Sequence, residues 1–202
     1  MIDVKKIVMK LASENLEANK ENVKYENYTG NIIYNKTNAK VENATFILKD
    51  KKIIWEKGIW HEGTWEDGIW KSGIWKSGIW MNGSWEKGVW EYGIWHDGTW
   101  NLGTWKLGSW YGGVWENGVW EYGTWFDGKW NYGEWKKGSW NDGLWSGGIH
   151  RYGYWYGGKF QKKEKKSIWE NGVWFQGIWS GGEWITGKNN LKEEKNIPPN
   201  QW

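Results

Sequence analysis

Apolar and polar positions recur along most of this chain with a period of five, which is neither the 3.6 of a helix nor the 2 of a plain strand. From Gly58 to Gly158 every fifth residue is glycine. Between Trp55 and Trp155 every fifth is tryptophan except His150, with Phe160 next in the same slot. After a break the pattern resumes as Trp169, Trp174, Trp179 and Trp184, with Gly172, Gly177, Gly182 and Gly187. A helix would spread this series around every face and lose roughly 1 kcal/mol at each glycine. In an extended segment residues two apart share a face, so Gly58 and Trp60 point one way and Ile59 the other. The spacer between them is mostly Ile, Val, Thr or Ser, which suits a strand. The two residues after each Trp are mostly polar and often end in Asp, Asn, Ser or Lys, which is turn chemistry. Each pentad reads as a three-residue strand and a corner. The predicted fold is all-β, a single-stranded β-solenoid of five-residue repeats.

Composition decides which way the indoles face. The chain has 25 Trp, and each buries roughly 150–250 Å², worth about 4–6 kcal/mol. Displaying about two dozen would expose several thousand Å², against a normal largest patch of a few hundred. The tryptophans therefore point inward, and the paired glycine is expected to leave space for the ring.

The ends read as caps. Val4, Ile7, Val8, Leu11 and Ala12 follow helical spacing. They predict an amphipathic helix over about 2–18, within an N-terminal cap of residues 1–38. A solenoid has open β edges that need a cover; contact with a partner or a lipid surface is the other use of such a helix. Residues 188–202 are polar and predict a flexible tail, with Trp202 either anchored on another subunit or frayed. Two stretches align without gaps, Phe46 to Trp55 and Phe160 to Trp169, each advancing nine residues where the repeat advances five. Both are expected to be enlarged Lys-rich corner loops, at 47–54 and 161–168. They serve as an anion or partner contact, or simply meet water.

Residues 39–48 read Ala39-Lys40-Val41-Glu42-Asn43-Ala44-Thr45-Phe46-Ile47-Leu48, which is small, x, apolar, x, x, twice over. This resembles the pentapeptide-repeat family, whose units carry a small residue two positions before a central Leu or Phe. The resemblance covers about residues 39–187, with Gly in place of the family's Ala and Trp in place of its Leu or Phe. It implies a right-handed quadrilateral β-helix with four pentads per coil. About 25 pentads would then make about six coils and a rod roughly 30 Å long.

Catalytic chemistry is hard to find. There is no cysteine, hence no disulfide, thiol nucleophile or Cys-based zinc site. The three histidines stand apart: His61 and His96 on corners outside any H-E-x-x-H motif, and His150 in a Trp slot as a core substitution. G-x-x-x-x-G-K occurs at Gly123–Lys129, Gly153–Lys159 and Gly182–Lys188, but the glycine period generates it automatically and no Ser or Thr follows. No cofactor or metal site is predicted, and the chain reads as a non-enzyme. Residues 55–160 hold ten basic against twelve acidic groups, neither the basic patch of a nucleic-acid binder nor the acidity of a DNA mimic. The start carries no apolar run of signal-peptide length, and no stretch is long enough to span a bilayer. The expected location is the cytoplasm, or a virion. The N-x-[ST] sequons at Asn27, Asn35 and Asn43 read as chance products of an Asn-rich chain.

Three functions compete. The first is a structural or protein-interaction scaffold that contacts another protein or itself. Similar Gly-x-Trp arrays look like those of phage and other viral proteins, which points to a virion or tail component. The second is carbohydrate binding through exposed aromatics. Its candidates are Tyr92, Tyr122, Tyr132 and Tyr152, which all precede Gly at multiples of ten residues and would share one or opposite faces of a four-sided coil. The third, implied by the resemblance alone, is a DNA mimic that binds a topoisomerase; the near-neutral repeat argues against it. An array of antiparallel MORN-type hairpins also uses Gly-x-Trp, but with a period above twenty residues and with strands here too short to stand alone.

Overall fold

A computed structural model describes residues 16–17, 23–190 and 193–201. The predicted helix over 2–18 lies outside these residues except at Leu16–Glu17, which form a short strand, β1, parallel to the chain at Ile32–Ile33. Trp202 also lies outside them.

The chain is an all-β parallel solenoid of about nine turns. Its strands are mostly two residues long, a spacer and a Trp, such as Thr104–Trp105 and Val119–Trp120. These short pieces are stable because each pairs above and below: Thr104 lies against Val89 on one side and Val119 on the other. Two backbone bonds per pentad join successive coils, as when Thr104 N donates to Gly88 O at 3.0 Å and Lys106 N to Trp90 O at 2.8 Å.

The pairing partner lies fifteen residues away, so a coil holds three pentads. This corrects the four-sided section that the family resemblance implied. Fifteen-residue coils make a triangular rod of more turns, about 40 Å long at the usual strand spacing of about 4.8 Å. The indoles form three columns. Trp55, Trp70, Trp85 and their successors make the first, Trp60, Trp75 and Trp90 begin the second, and Trp65, Trp80 and Trp95 begin the third. Within a column rings stack nearly parallel at 4.7–4.9 Å along the regular part, for example Trp105 on Trp120 at 4.8 Å and 6°. Within a coil they meet edge to face, as Trp105 and Trp110 do at 6.0 Å and 74°. Three indoles in this arrangement fill the section, and the rings from Trp55 to Trp145 are fully buried.

Most of these indole N–H groups have no hydrogen-bond acceptor; Trp130, which donates to Gly147 O at 3.1 Å, does. Leaving one unsatisfied costs about 1–3 kcal/mol. Burial of the ring returns about 4–6 kcal/mol, and the neighbouring π faces add edge-to-face attraction. Burial wins.

The glycines serve a purpose other than the one expected. From Gly58 to Gly158 every repeat glycine has positive φ, mostly near 120–140°, a conformation that L-residues rarely adopt. A Cβ at Gly108 would overlap the carbonyl oxygen of Gly93 one coil below before it met the Trp105 ring. Backbone geometry at the corner demands glycine first, and room for the indole comes second. Two slots hold no glycine and no positive φ: Ile53, after the turn at Asp50–Lys51, pairs with Gly68, and Ser167, after a corner with four extra residues, pairs with Gly148. Ser167 Oγ donates to Gln161 O at 2.7 Å.

The N-terminal end departs most from expectation. β2 (Val23–Tyr34), β3 (Thr37–Lys49) and β4 (Lys52–Trp65) form an antiparallel meander, with β4 leading into the parallel coils. Ala39, Val41, Ala44 and Phe46 are buried as the small, x, apolar pattern indicates, yet the strand runs backwards along the axis. Phe46 stacks between Tyr25 at 4.9 Å and Trp55 at 6.0 Å, extending the first column to the capped end. Asn27 and Asn43 sit with φ near 50° at register shifts, and Asn35 does so in the β2–β3 turn. These asparagines are therefore conformational choices, since Asn tolerates the left-handed region.

The two aligned Lys-rich stretches serve different ends. Asp50 and Lys51, both at positive φ, reverse the chain between β3 and β4. By contrast, residues 161–166 enlarge a corner within the solenoid, where the pairing interval grows to nineteen, as in His150 with Trp169. At the other end Gly187–Asn189 pairs with Val173–Trp174 and, antiparallel, with Glu193–Lys195; Pro199–Gln201 form a 3-10 turn. In the described part of the expected tail, Lys188 and Asn189 thus continue the last coil and Glu193–Lys195 fold back on it.

Candidate interaction surface

With the indoles inside, the outward chemistry lies on three corners, where side chains fifteen residues apart stand one above another. The first corner, after the Trp70 column, carries Lys71, Glu86, Asn101 and Glu116, then Tyr132 and the enlarged loop. Lys165 Nζ lies 4.7 Å from the centre of the Tyr132 ring.

The second corner, after the Trp75 column, carries two ladders. One alternates in charge from Lys76 through Glu91, Lys106 and Glu121 to Lys136, and then continues with Arg151 and Glu170. Lys106 meets Glu91 at 3.4 Å, Lys136 meets Glu121 at 3.2 Å, and Arg151 pairs with Glu134 and, at 2.9 Å, with Glu170. Exposed pairs of this kind are each worth about 0.2–1 kcal/mol. The adjacent ladder holds Tyr92, Leu107, Tyr122, Lys137 and Tyr152. Its apolar members are 58, 39, 51 and 41 % exposed.

The third corner, after the Trp80 column, has an aromatic ladder in which His96 stacks on Tyr111 at 5.3 Å and Tyr111 on Phe126 at 4.6 Å. Asn141 interrupts it, and Tyr156 on Phe175 at 4.8 Å resumes it. Beside it the Asp column has a structural task. Asp97 and Asp127 each accept the following glycine's N–H, at 2.7 and 2.6 Å, which closes the corner.

Of the four candidate tyrosines, three are brought together. Tyr92, Tyr122 and Tyr152 share the second corner at two-coil intervals, whereas Tyr132 lies on the first. The four-sided expectation of same or opposite faces is thus replaced by one shared corner and one outlier, because a three-sided coil repeats at fifteen. The signal was present in the sequence. Tyr92, Tyr122 and Tyr152 are thirty apart, and the Lys/Glu alternation from Lys76 to Lys136 has a step of fifteen.

His61 and His96 fall on different corners; His61 Nε2 lies 3.0 Å from Glu42 Oε2. His150 is fully buried in the second column, between Trp135 at 6.0 Å and Trp169 at 3.9 Å. Burial pushes its pKa down to about 3 and outweighs the opposing effect of the backbone at Asn171 and at His150 itself; neither ring nitrogen makes a hydrogen bond. The imidazole is neutral at pH 7 and fills core space. Among the described residues no three His, Asp or Glu side chains converge as a metal site would need, and no helix is long and apolar enough to cross a membrane.

These features define the class: a three-sided, tryptophan-cored β-solenoid with longitudinal side-chain ladders. No protein-family model, curated protein or solved structure matches the chain.

Proposed function

We propose that the chain is a non-catalytic structural scaffold that works through protein–protein contact. One observation carries this reading: the fifteen-residue register, interrupted at the 161–166 corner, which lines outer side chains into ladders along the rod. Such ladders suit an extended mate better than a small molecule, because they offer repetition and length in place of a concave pocket. A distant relation to the pentapeptide-repeat family belongs to the same proposal. The five-residue unit with its inward small and large pair supports it, while three sides in place of four set this chain apart. Resemblance to viral Gly-x-Trp arrays favours a virion or tail assembly as its setting, with synthesis in a cytoplasm.

The test is native purification from the source, with stoichiometry measured by quantitative mass spectrometry. A scaffold is expected to co-purify with one or a few proteins at a fixed ratio. Recovery of the chain alone and as a monomer, in every fraction, contradicts the proposal.

A carbohydrate-binding reading has the exposed Tyr92, Tyr122 and Tyr152 in its favour. Sugar stacking needs ring faces turned outward, however, and Lys137 Nζ sits 5.6 Å over the Tyr152 ring from the coil below. That ring face is turned along the rod. Binding to immobilised oligosaccharides, lost in a Tyr92→Ala/Tyr122→Ala variant, would favour this second reading. The topoisomerase-binding DNA mimic has least support, since the repeat balances ten basic with twelve acidic groups.

A further inference from the structure

We propose that two copies of this chain pair side by side and antiparallel along the second corner, about a twofold axis that crosses the corner between the rungs of Lys106 and Glu121. The inference rests on the scaffold reading and names its partner as a second copy.

Two independent features of that corner meet in this arrangement. An antiparallel twofold of this kind sets each ladder against itself in reverse order, with the rung above the axis facing the rung below it. In the charged ladder, Lys106 then faces Glu121 of the second copy, and Glu91 faces Lys136 of the second copy. Symmetry repeats both pairs, which makes four opposite-charge contacts. At the ends His61 faces Glu170 of the second copy. Lys76 opposes Arg151 of the second copy, where the guanidinium is already held by Glu134 and Glu170. In the apolar ladder, Leu107 meets Tyr122 of the second copy at the centre, and Tyr92 meets Lys137 of the second copy. The latter is a cation–π combination that the chain already makes internally between Lys137 and Tyr152. The four exposed apolar side chains of this corner are thereby covered or placed at the edge of the contact.

The competing registers are worse. An axis through the Lys106 rung sets Lys106 on itself, Glu91 on Glu121 and Lys76 on Lys136. A parallel pair keeps equal heights and sets the charged ladder against the apolar one. Moving the antiparallel axis one rung toward the N-terminus also gives four opposite-charge contacts, Glu91 with Lys106 and Lys76 with Glu121, but it leaves Arg151, Tyr152 and Glu170 outside and brings His61 to Lys136. Sign alternation from Lys76 to Lys136 thus permits only axes between rungs, and the central one uses the whole corner.

A ridge is narrow, so the contact falls at the small end of specific interfaces, where complexes are weak and salt-sensitive. Sedimentation equilibrium over micromolar to submillimolar concentrations at low salt is the test. The wild-type chain should show a monomer–dimer equilibrium that shifts to monomer in high salt. Lys106→Glu should weaken dimerisation about tenfold or more, because symmetry turns two attractive contacts into two repulsive ones. Glu121→Lys should do the same. The double variant Lys106→Glu/Glu121→Lys should regain most of the wild-type affinity, and thermal melts of all three should stay within about five degrees of the wild type, since the Lys106–Glu91 and Lys136–Glu121 pairs they disturb within one chain are exposed and weak. A mass that stays monomeric at every concentration overturns the dimer and leaves the scaffold reading to its own test. A dimer that is indifferent to the single changes, or that the charge swap fails to rescue, overturns this interface.

Discussion

His150 makes the fold acid-sensitive through one buried imidazole. A histidine in the unfolded chain titrates near its ordinary value of 6.5, whereas in the folded core burial holds it neutral down to about pH 3. The folded pKa is depressed, so as pH falls below 6.5 the unfolded chain takes up a proton that the folded chain refuses. Stability is unaffected by this group above 6.5, declines between 6.5 and 3, and declines no further below. The slope approaches about 1.4 kcal/mol per pH unit, which amounts to about 2 kcal/mol between pH 7 and pH 5. The perturbation is His150→Trp. The imidazole sits 3.9 Å from Trp169 but 6.0 Å from Trp135, so an indole at the usual 4.8 Å spacing has room on the Trp135 side. Urea unfolding followed by tryptophan fluorescence, at half-unit steps from pH 7 to pH 5, gives the assay. Carboxylates titrate alike in both proteins, so the difference between the two isolates position 150. The variant should be at least as stable at pH 7, and its advantage should grow by about 2 kcal/mol at pH 5. Parallel curves for the two proteins would mean that residue 150 takes up its proton alike in the folded and unfolded chains.

Further substitutions separate the glycine and tryptophan terms. Gly108→Ala, at φ +139° and against the Gly93 carbonyl, should destabilise by at least about 2 kcal/mol in urea unfolding, whereas Gly112→Ala, with negative φ and its nearest neighbour at 3.4 Å, should be nearly neutral. Trp105→Leu removes a ring stacked on both faces and should cost about 3–5 kcal/mol by the same measurement. The native protein should emit in the blue and resist iodide, because nearly all its indoles are buried; red-shifted, readily quenched emission contradicts the core.

What could be read in the sequence follows from what a pentad encodes. Inward and outward positions are local, so Trp105 inside and Thr104 outside were legible, as were Ala39, Val41, Ala44 and Phe46. The number of sides was not, because the repeated Gly–Trp pair is the same on every face and does not record the corner angle. Only the variable outer residues carry it, in the thirty-residue spacing of Tyr92, Tyr122 and Tyr152. The reversal at Asp50–Lys51 was hidden for a different reason. Lys51 sits at φ 62° without being Gly or Asn, and its Lys-rich surroundings match those of the true corner loop at 161–166. Identical local chemistry serves a hairpin in one place and an insertion in the other, and the pairing strands decide between them.

A coil that closes every fifteen residues can be tested by engineered cross-links, because the chain has no cysteine of its own. Thr104 and Val119 are ladder partners on neighbouring coils, at a strand spacing of about 4.8 Å that lies within disulfide range. Thr104→Cys/Val119→Cys should oxidise to an intramolecular disulfide under mild conditions. Thr104→Cys/Thr124→Cys, the partners in a four-sided coil, should stay reduced. Ready closure of the twenty-residue pair, with the fifteen-residue pair left open, would contradict the three-sided tryptophan core.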